Sequence, residues 1–458
     1  MTQYFIEDSA DSVCHLHLVD GDALESWLDA ASPSDAAWVR RNLDDPVPGT
    51  VLPLPDGAVG EVRYLGVTGG AEPFWSIAGV ARSLPAGHYR LACAPEDPTA
   101  TGLAWALGQY QYDRYLPAAA RSPRRLQWPD GTDRGKVLAH VAADTLTRDL
   151  INTPAEDMGP DALEAAARAV AAEHAADIAV TTGDDLLTAG FPAIHAVGRA
   201  SSCPPRLLDL RWGDPGHRRL TLVGKGVCFD SGGLNLKPAA GMRLMKKDMG
   251  GAAHVLGLAS FVMAARLPVR LRVLVPAVEN SVSGNAYRPG DVVQTRAGLT
   301  VEIGNTDAEG RMVLCDALSL ACEEEPDLVI DMATLTGAAR VALGPDLPAL
   351  FAQPGQLARA VERFGEAEQD PLWPMPLWAP YAGDLKSPVA DLNNIAGNAF
   401  AGAIYGGLFL GRFVPDEIEW MHVDVFSWNP RARTGRPEGG AAQGLRAFAA
   451  FLRDRFPG

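Results

Sequence analysis

Four carboxylates and two lysines stand in this sequence where chemistry could be done. Asp230 lies in Val227-Cys228-Phe229-Asp230-Ser231-Gly232-Gly233 and Asp248 in Lys246-Lys247-Asp248-Met249-Gly250-Gly251. Asp307 and Glu309 lie in Asn305-Thr306-Asp307-Ala308-Glu309-Gly310-Arg311, and Lys225 and Lys237 flank Asp230. Each carboxylate is close to glycines, which let the backbone turn sharply and approach a ligand closely. Four carboxylates converging without partners would repel one another and raise their pKa values. Two divalent cations remove that penalty, and a pair of metals about 3.5–4 Å apart activates water and polarises a carbonyl. Taken singly, each residue has an ordinary reading. A strand-end Asp is more often a helix cap or turn residue, and a lone Lys a solvated surface charge. The combination, with its spacing, favours chemistry. Val223-Gly224-Lys225-Gly226 hints at a phosphate loop but lacks the remaining glycine spacing and the Ser/Thr.

These residues need elements to hold them. Continuous apolar runs recur at 220–223, 271–275, 328–330 and 421–425, as in strands buried on both faces. Helical patterns cover 250–265 and 313–324. Alternation of this kind predicts a mixed, mostly parallel central sheet flanked by helices, with ligands gathered where the strands end. Ahead of it, short apolar runs at 14–19 and 87–93 and helical stretches at 23–30 and 99–115 predict a small mixed α/β domain. The segment 117–132, rich in Pro, Arg and Gly, reads as a linker. The expected organisation is an α/β N-terminal domain over 1–125 with an assembly or regulatory role, a linker over 126–135 and a larger catalytic α/β domain over 136–458.

Composition narrows the class. The chain of 458 residues has 47% apolar content, enough for a large core, and a formal charge of −16 that argues against broad nucleic-acid binding. Its six cysteines are too sparse for a disulfide scaffold and none pairs at metal-site spacing, so reduced thiols in a cytoplasmic protein are expected. The opening residues lack a basic-then-apolar signal pattern, and no apolar run reaches about 18 residues, so no membrane span is expected.

The two clusters closely resemble those of the leucyl aminopeptidase (cytosol aminopeptidase) family. Asn305 to Arg311 carries the most specific motif, and the series from Lys225 through Asp230-Ser231-Gly232-Gly233 and Lys237 to Asp248-Met249-Gly250-Gly251-Ala252 matches without insertion. Arg148-Asp149-Leu150-Ile151-Asn152-Thr153-Pro154, Arg288-Pro289-Gly290-Asp291, Asp331-Met332-Ala333-Thr334-Leu335-Thr336-Gly337 and Ser387-Pro388-Val389-Ala390-Asp391-Leu392-Asn393-Asn394 extend the likeness up to about Phe413. Before residue 148 it is confined to Gly108-Gln109-Tyr110-Gln111-Tyr112-Asp113-Arg114-Tyr115.

The resemblance implies a metallo-exopeptidase that hydrolyses the first amino acid from peptides with a free N-terminus. It implies two divalent metal ions per subunit, zinc foremost, with manganese, magnesium or cobalt at an exchangeable position. Asp230 and Glu309 resemble the bridging carboxylates, Asp307 a ligand of the exchangeable metal, and Lys225 and Asp248 ligands of the tighter one. A ligating lysine must be neutral, far below its reference pKa of about 10.4. Lys237 resembles the lysine that stabilises the tetrahedral intermediate, and Arg311 the holder of a bicarbonate ion acting as general base. Met245, Thr334, Leu335 and Gly337 match positions near the substrate. A cytoplasmic homohexamer, a dimer of trimers, is implied as well. None of the nine histidines is needed, and His254 and His422 read as structural.

The C-terminal stretch departs from the family. Val425-Phe426-Ser427-Trp428 replaces a small-residue Ile-Ala-Gly run, and Arg436-Pro437-Glu438-Gly439-Gly440 lacks the usual Ala-Thr-Gly. In the family this region helps wall the pocket for the first side chain, so a leucine preference does not carry over. Phe426 and Trp428 either reshape that pocket or pack into the core, and the frequency of aromatics in cores favours packing. Three other readings stand beside the aminopeptidase. They are a non-catalytic member of the fold, a DNA-binding role through a basic patch at 121–125, and a different metallohydrolase such as a dipeptidase.

Overall fold

The computed structural model describes residues 2–7, 13–55, 61–116 and 123–457. The chain divides into two compact units, Met1–Thr145 with Asn429–Glu438, and Leu146–Trp428 with Gly439–Gly458. Among the described residues no helix is long and apolar enough to cross a membrane.

The first unit is built on a six-stranded sheet in the order Phe5–Ile6, Arg124–Gln127, Gly87–Leu91, Cys14–Asp20, Arg63–Thr68, Val51–Pro53. Neighbours run parallel except at the edge strand Val51–Pro53. Its helices start where the sequence caps them. Ser32 and Asp97 each accept a backbone N–H from the residue three positions on, and a proline follows each cap. The helix expected over 99–115 is instead Pro98–Leu107. Beyond it the Gln109 amide turns to the sheet, donating to Arg124 O and accepting from Arg124 N, both at 2.9 Å. That pairing draws the chain out of the helix.

Of the expected linker, residues 117–122 lie outside the described ones, as do two positions of the basic patch at 121–125. Arg124–Gln127 differs from the expectation: it is a strand, held because Leu126 is fully buried in this unit's core. The division between the units falls inside helix Arg134–Asn152. The first unit also claims a segment far along the chain, Asn429–Glu438, where Arg436 pairs with Glu72 and stacks its guanidinium 4.8 Å from the Trp75 ring centre.

The second unit is the mixed, mostly parallel α/β body that the apolar runs predicted. Its nine-stranded sheet has the order Trp373–Pro374, Ala349–Gln353, Trp420–Asp424, Leu328–Ala333, Arg218–Gly224, Val269–Asn280, Arg206–Trp212, Asp177–Thr182, with Gly226–Asp230 paired to the far half of Val269–Asn280. The four central strands are mutually parallel. Antiparallel strands join on both sides. Leu328–Ala333 and Trp420–Asp424 are buried at every position, as strands covered on both faces must be. Helix Gly250–Ala264 packs with Leu445–Arg455 on one face, and helix Glu309–Cys322 with Pro192–Gly198 and Gly402–Gly411 on the other. Glu309–Cys322 starts four residues before the expected 313, which places Glu309 and Arg311 in its first turn.

Candidate metal centre

The central strands end on one side, and the carboxylates gather there. Lys225 follows strand Arg218–Gly224, Asp230 ends Gly226–Asp230, Thr334 follows Leu328–Ala333 and Asp424 ends Trp420–Asp424. Asp248 precedes helix Gly250–Ala264, and Glu309 opens Glu309–Cys322. Close backbone approach makes the convergence possible. A Cβ on Gly251 would lie 2.0 Å from Met332 O, and one on Gly310 would lie 2.9 Å from Lys225 Nζ. Both positions need glycine for the helix starts to reach the strand ends.

Ligand-type oxygens of Asp230, Asp307 and Glu309 all lie within 4.8 Å of one another. Lys225 Nζ stands 2.7 Å from Asp248 Oδ2 and 2.7 Å from Glu309 Oε1, and donates to Thr334 O at 3.0 Å. Lys237 Nζ stands 2.7 Å from Asp230 Oδ2 and 2.5 Å from Asp307 Oδ1. Thus two ammonium groups face four carboxylates. Asp230, Asp248 and Glu309 are buried.

The electrostatics follow from that imbalance. Burial, with Asp230 next to it, pushes Glu309 well above the usual carboxylate range. Burial and Asp248 raise Asp230 to about 6. Burial opposes the charge of Asp248 too, but Lys225, Lys247 and the Thr334 hydroxyl hold it below its ordinary value. Burial likewise opposes the Lys225 ammonium, and the charges of Asp248 and Glu309 outweigh it and raise its pKa. Glu309 Oε2 is buried with no hydrogen-bond partner among the described residues. An orphaned carboxylate oxygen in a cluster of excess negative charge suits a divalent cation. The donor set, carboxylate oxygens with one amine, suits the same hard or borderline metals.

A shell of side chains fixes the candidate ligands. Thr334 Oγ1 donates to Asp248 Oδ1 at 2.7 Å, and Asn280 Nδ2 donates to Asp230 Oδ1 at 2.8 Å. Asn280 Nδ2 also donates to Thr306 O at 3.0 Å, and Tyr287 Oη to the same oxygen at 2.8 Å. Sequence reasoning passed over Asn280 and Tyr287. A polar residue closing the long apolar run that ends at Asn280 was the available signal.

The cluster opens into a cleft of about 340 Å³. Of the residues matched to substrate positions, Met245, Thr334, Leu335 and Gly337 all line it, as do Lys225, Asp230, Lys237, Asp248, Asp307 and Glu309. Arg311 is not among the lining residues. It is buried, donating through Nη1 to Asn394 O at 2.5 Å, with its Nε unpartnered. Phe426 and Trp428 part company. Phe426 is half-buried and forms one wall of the cleft, whereas Trp428 is buried with Lys246 Nζ 5.4 Å from its ring centre. Arg436, expected near the pocket wall, belongs to the first unit. No histidine reaches the cleft: His254 sits in its helix, and His422 Nδ1 lies 2.6 Å from Asp331 Oδ1 inside the sheet.

Residues 145–449 match the model of the cytosol aminopeptidase family, catalytic domain, and residues 14–129 that of the M17 aminopeptidase N-terminal domain. A probable cytosol aminopeptidase of Syntrophotalea carbinolica is 42% identical over 365 residues, 76% of this chain and 73% of its own. A second, of Geobacter sulfurreducens, is 38% identical over 412 residues, 87% of this chain and 83% of its own. Among solved structures, the cytosol aminopeptidase of Coxiella burnetii superposes with a TM-score of 0.93 at 48% identity, covering 99% of both chains. The bottromycin maturation enzyme BotP in complex with Mn gives 0.87 at 34% identity, covering 97% of this chain and 99% of that one.

Proposed function

The chain belongs to the cytosol aminopeptidase family, whose members are metal-dependent exopeptidases, and from that premise we propose that it removes the first residue of peptides with a pair of divalent cations. The observation that carries this reading is the convergence of Asp230, Asp307 and Glu309 within 4.8 Å, with Glu309 Oε2 buried and unpartnered. Asp230 and Glu309 would bridge the two ions, Asp307 would complete the exchangeable site, and Lys225 and Asp248 the tighter one. Four carboxylates then balance two dications, and Lys225 ligates as a neutral amine. Zinc is the foremost candidate, with manganese, magnesium or cobalt at the exchangeable position, and the manganese complex of BotP supports that range. Bound there, the ions supply a nucleophilic water at neutral pH and polarise the scissile carbonyl.

The chain's own residues do the rest. Asp248, held by Thr334, orients the substrate's free α-amine, so only a terminal residue reads correctly. Lys237 lies at the cleft, its ammonium tethered by Asp230 and Asp307. That ammonium would donate to the oxygen on which negative charge develops. Arg311 would hold a bicarbonate ion as general base, its planar fork suiting a two-oxygen anion. We further propose a cytoplasmic homohexamer, a dimer of trimers, with the N-terminal unit serving assembly or regulation. The likeness to cytosol aminopeptidases supports the cytoplasmic location.

The decisive experiment is metal analysis of the purified chain joined to turnover of aminoacyl anilides. Close to two ions per chain and release of the first residue are expected, with both lost in Glu309→Gln. Undiminished turnover in Glu309→Gln or in Lys237→Ala would overturn the assignment.

A further inference from the structure

One wall of the cleft carries two cations that, among the described residues, no carboxylate pairs directly. Lys247 is 4% exposed, yet among the described residues its ammonium has no carboxylate within ion-pair distance and no side-chain hydrogen bond. It rests 4.8 Å from the Phe426 ring centre. The Arg340 guanidinium rests 4.9 Å from the same centre and likewise has no ion pair among the described residues. Lys247, Arg340 and Phe426 all line the cleft that holds the carboxylate cluster.

Two like charges meeting on one ring repel each other, and the face of a Phe compensates a cation only modestly. The nearby acids are already committed. Asp248 binds Lys225 and Thr334. Asp424 Oδ1 accepts from Leu335 N at 2.9 Å and Thr336 N at 3.2 Å, and its Oδ2 accepts from Thr336 Oγ1 at 2.6 Å. A buried ammonium left unpaired beside a second cation, facing an open cleft, calls for an anion brought from outside.

We propose that this wall selects substrates whose first residue carries a carboxylate side chain, glutamate or aspartate, paired by Lys247 and Arg340. The inference rests on the aminopeptidase reading and names its substrate class. Lys247 directly precedes Asp248, the residue assigned to the substrate's amine. The first side chain branches from the carbon that bears that amine, so it is the part of a peptide that enters beside Lys247. Leu244, Met245 and Leu347 supply the apolar flank along which its methylenes lie. The carboxylate at the far end of a dipeptide has the same chemistry, and the test separates the two.

The test uses the metal-loaded full chain. kcat/KM is measured for the p-nitroanilides of Glu, Asp, Gln and Leu, and for Leu-Gly beside its amide. Glu should exceed its neutral isostere Gln by about tenfold or more, the ordinary worth of a charged hydrogen bond. Lys247→Met should cut the Glu/Gln ratio by about tenfold, and Arg340→Met by a smaller factor because Arg340 is exposed. Without turnover, glutamate α-amide should protect the wild type against thermal unfolding more than glutamine α-amide does, and that difference should vanish in Lys247→Met. A Glu/Gln ratio near one, or a ratio that neither variant moves, overturns the proposal while leaving the aminopeptidase reading intact. Leu-Gly favoured over its amide, with the preference erased in Lys247→Met, reassigns the cations to a C-terminal carboxylate and overturns it as well. Absence of turnover on every substrate defeats the aminopeptidase reading itself, and this proposal with it. Should Lys247→Met not fold, the wild-type ratio and Arg340→Met at the exposed position still decide.

Discussion

The Thr334 hydroxyl shares its one proton between Asp248 Oδ1 at 2.7 Å and that residue's own carbonyl oxygen at 3.0 Å. One side chain from the end of a strand thus fixes both the carboxylate and the backbone of a candidate ligand on the loop before a helix. Partners of this kind orient ligands and tune their basicity. Thr334→Val keeps the shape and removes the donor. Metal affinity at the tighter position should fall by about 10–100-fold. Competition with a chelator of known affinity measures it, and unchanged affinity would remove Thr334 from the site's support.

Metal removal should lower stability, because the cluster's excess negative charge is held together in the folded state. A cation present at 100 times its dissociation constant adds about 2.7 kcal/mol per site. Thermal unfolding with and without EDTA reads this difference. In Glu309→Gln the metal-dependent increment should shrink, while the metal-free protein should lose little, since burial already holds Glu309 well above the usual carboxylate range. An increment of full size in that variant would argue that Glu309 holds no metal.

His254 makes a pH-dependent contribution. Its Nδ1 is 2.6 Å from the Gly250 carbonyl oxygen, and its Nε2 accepts from Gln443 N at 2.9 Å. Those partners require the neutral ring with its proton on Nδ1. Burial pulls its pKa from 6.5 to about 4. The folded value is depressed, so this contribution is fully present above pH 6.5 and fades as pH falls toward 4, by on the order of 3 kcal/mol in all. His254→Gln should be less stable than wild type at pH 7.5, and the gap should narrow by pH 5. Chemical denaturation of both proteins across that range gives the answer, and a gap constant with pH would rule the linkage out.

In the first unit, Arg63 grips Asp35 with two parallel bonds, Nη1 to Oδ2 at 2.9 Å and Nη2 to Oδ1 at 3.0 Å. Burial opposes the Asp35 charge, but the bonds from Arg63 and from Ser32 hold its pKa below the ordinary value. Its stabilisation is therefore present above the unfolded carboxylate pKa and lost as pH falls through the folded one. Asp35→Ala strands a largely buried guanidinium and should cost about 3 kcal/mol at neutral pH. Replacing both partners with apolar residues should recover part of that loss. Equal stability of wild type and the single variant would show that the pair contributes nothing.

Gly251→Ala tests the close approach on which the centre depends. Its Cβ would meet Met332 O at 2.0 Å, a contact with backbone that no side-chain rotation relieves. The start of helix Gly250–Ala264 must then retreat from the sheet and carry Asp248 with it. Loss of metal binding out of proportion to loss of secondary structure is expected, by metal analysis beside circular dichroism. A variant that binds metal normally would show that the helix can shift without disturbing the ligands.

The central strands were legible because burial on both faces writes itself as an unbroken apolar run, as in 328–330 and 421–425. The candidate ligand residues were legible because their motifs are local: glycines beside carboxylates, repeated at strand ends. Helix ends were less so. The 99–115 helix stops at Leu107 because Gln109 finds its partner in Arg124, and the first unit's sheet takes up Arg124–Gln127 because Leu126 has a core to enter. Neither partner is near in sequence.

The sequence by itself determined the chemistry and the class of fold, since side-chain types, glycine placement and apolar periodicity are properties of neighbours along the chain. Only the tertiary structure decided which groups are left without a partner. That Lys225 and Lys237 stand in for cations among four carboxylates depends on distances between residues as far apart as Lys225 and Glu309. So does the fact that Lys247 faces the cleft without an ion pair among the described residues, and so does the parting of Phe426, a wall of the cleft, from Trp428, a core residue. The energy of a charge is set by what surrounds it in space, and the order of residues along the chain does not contain that.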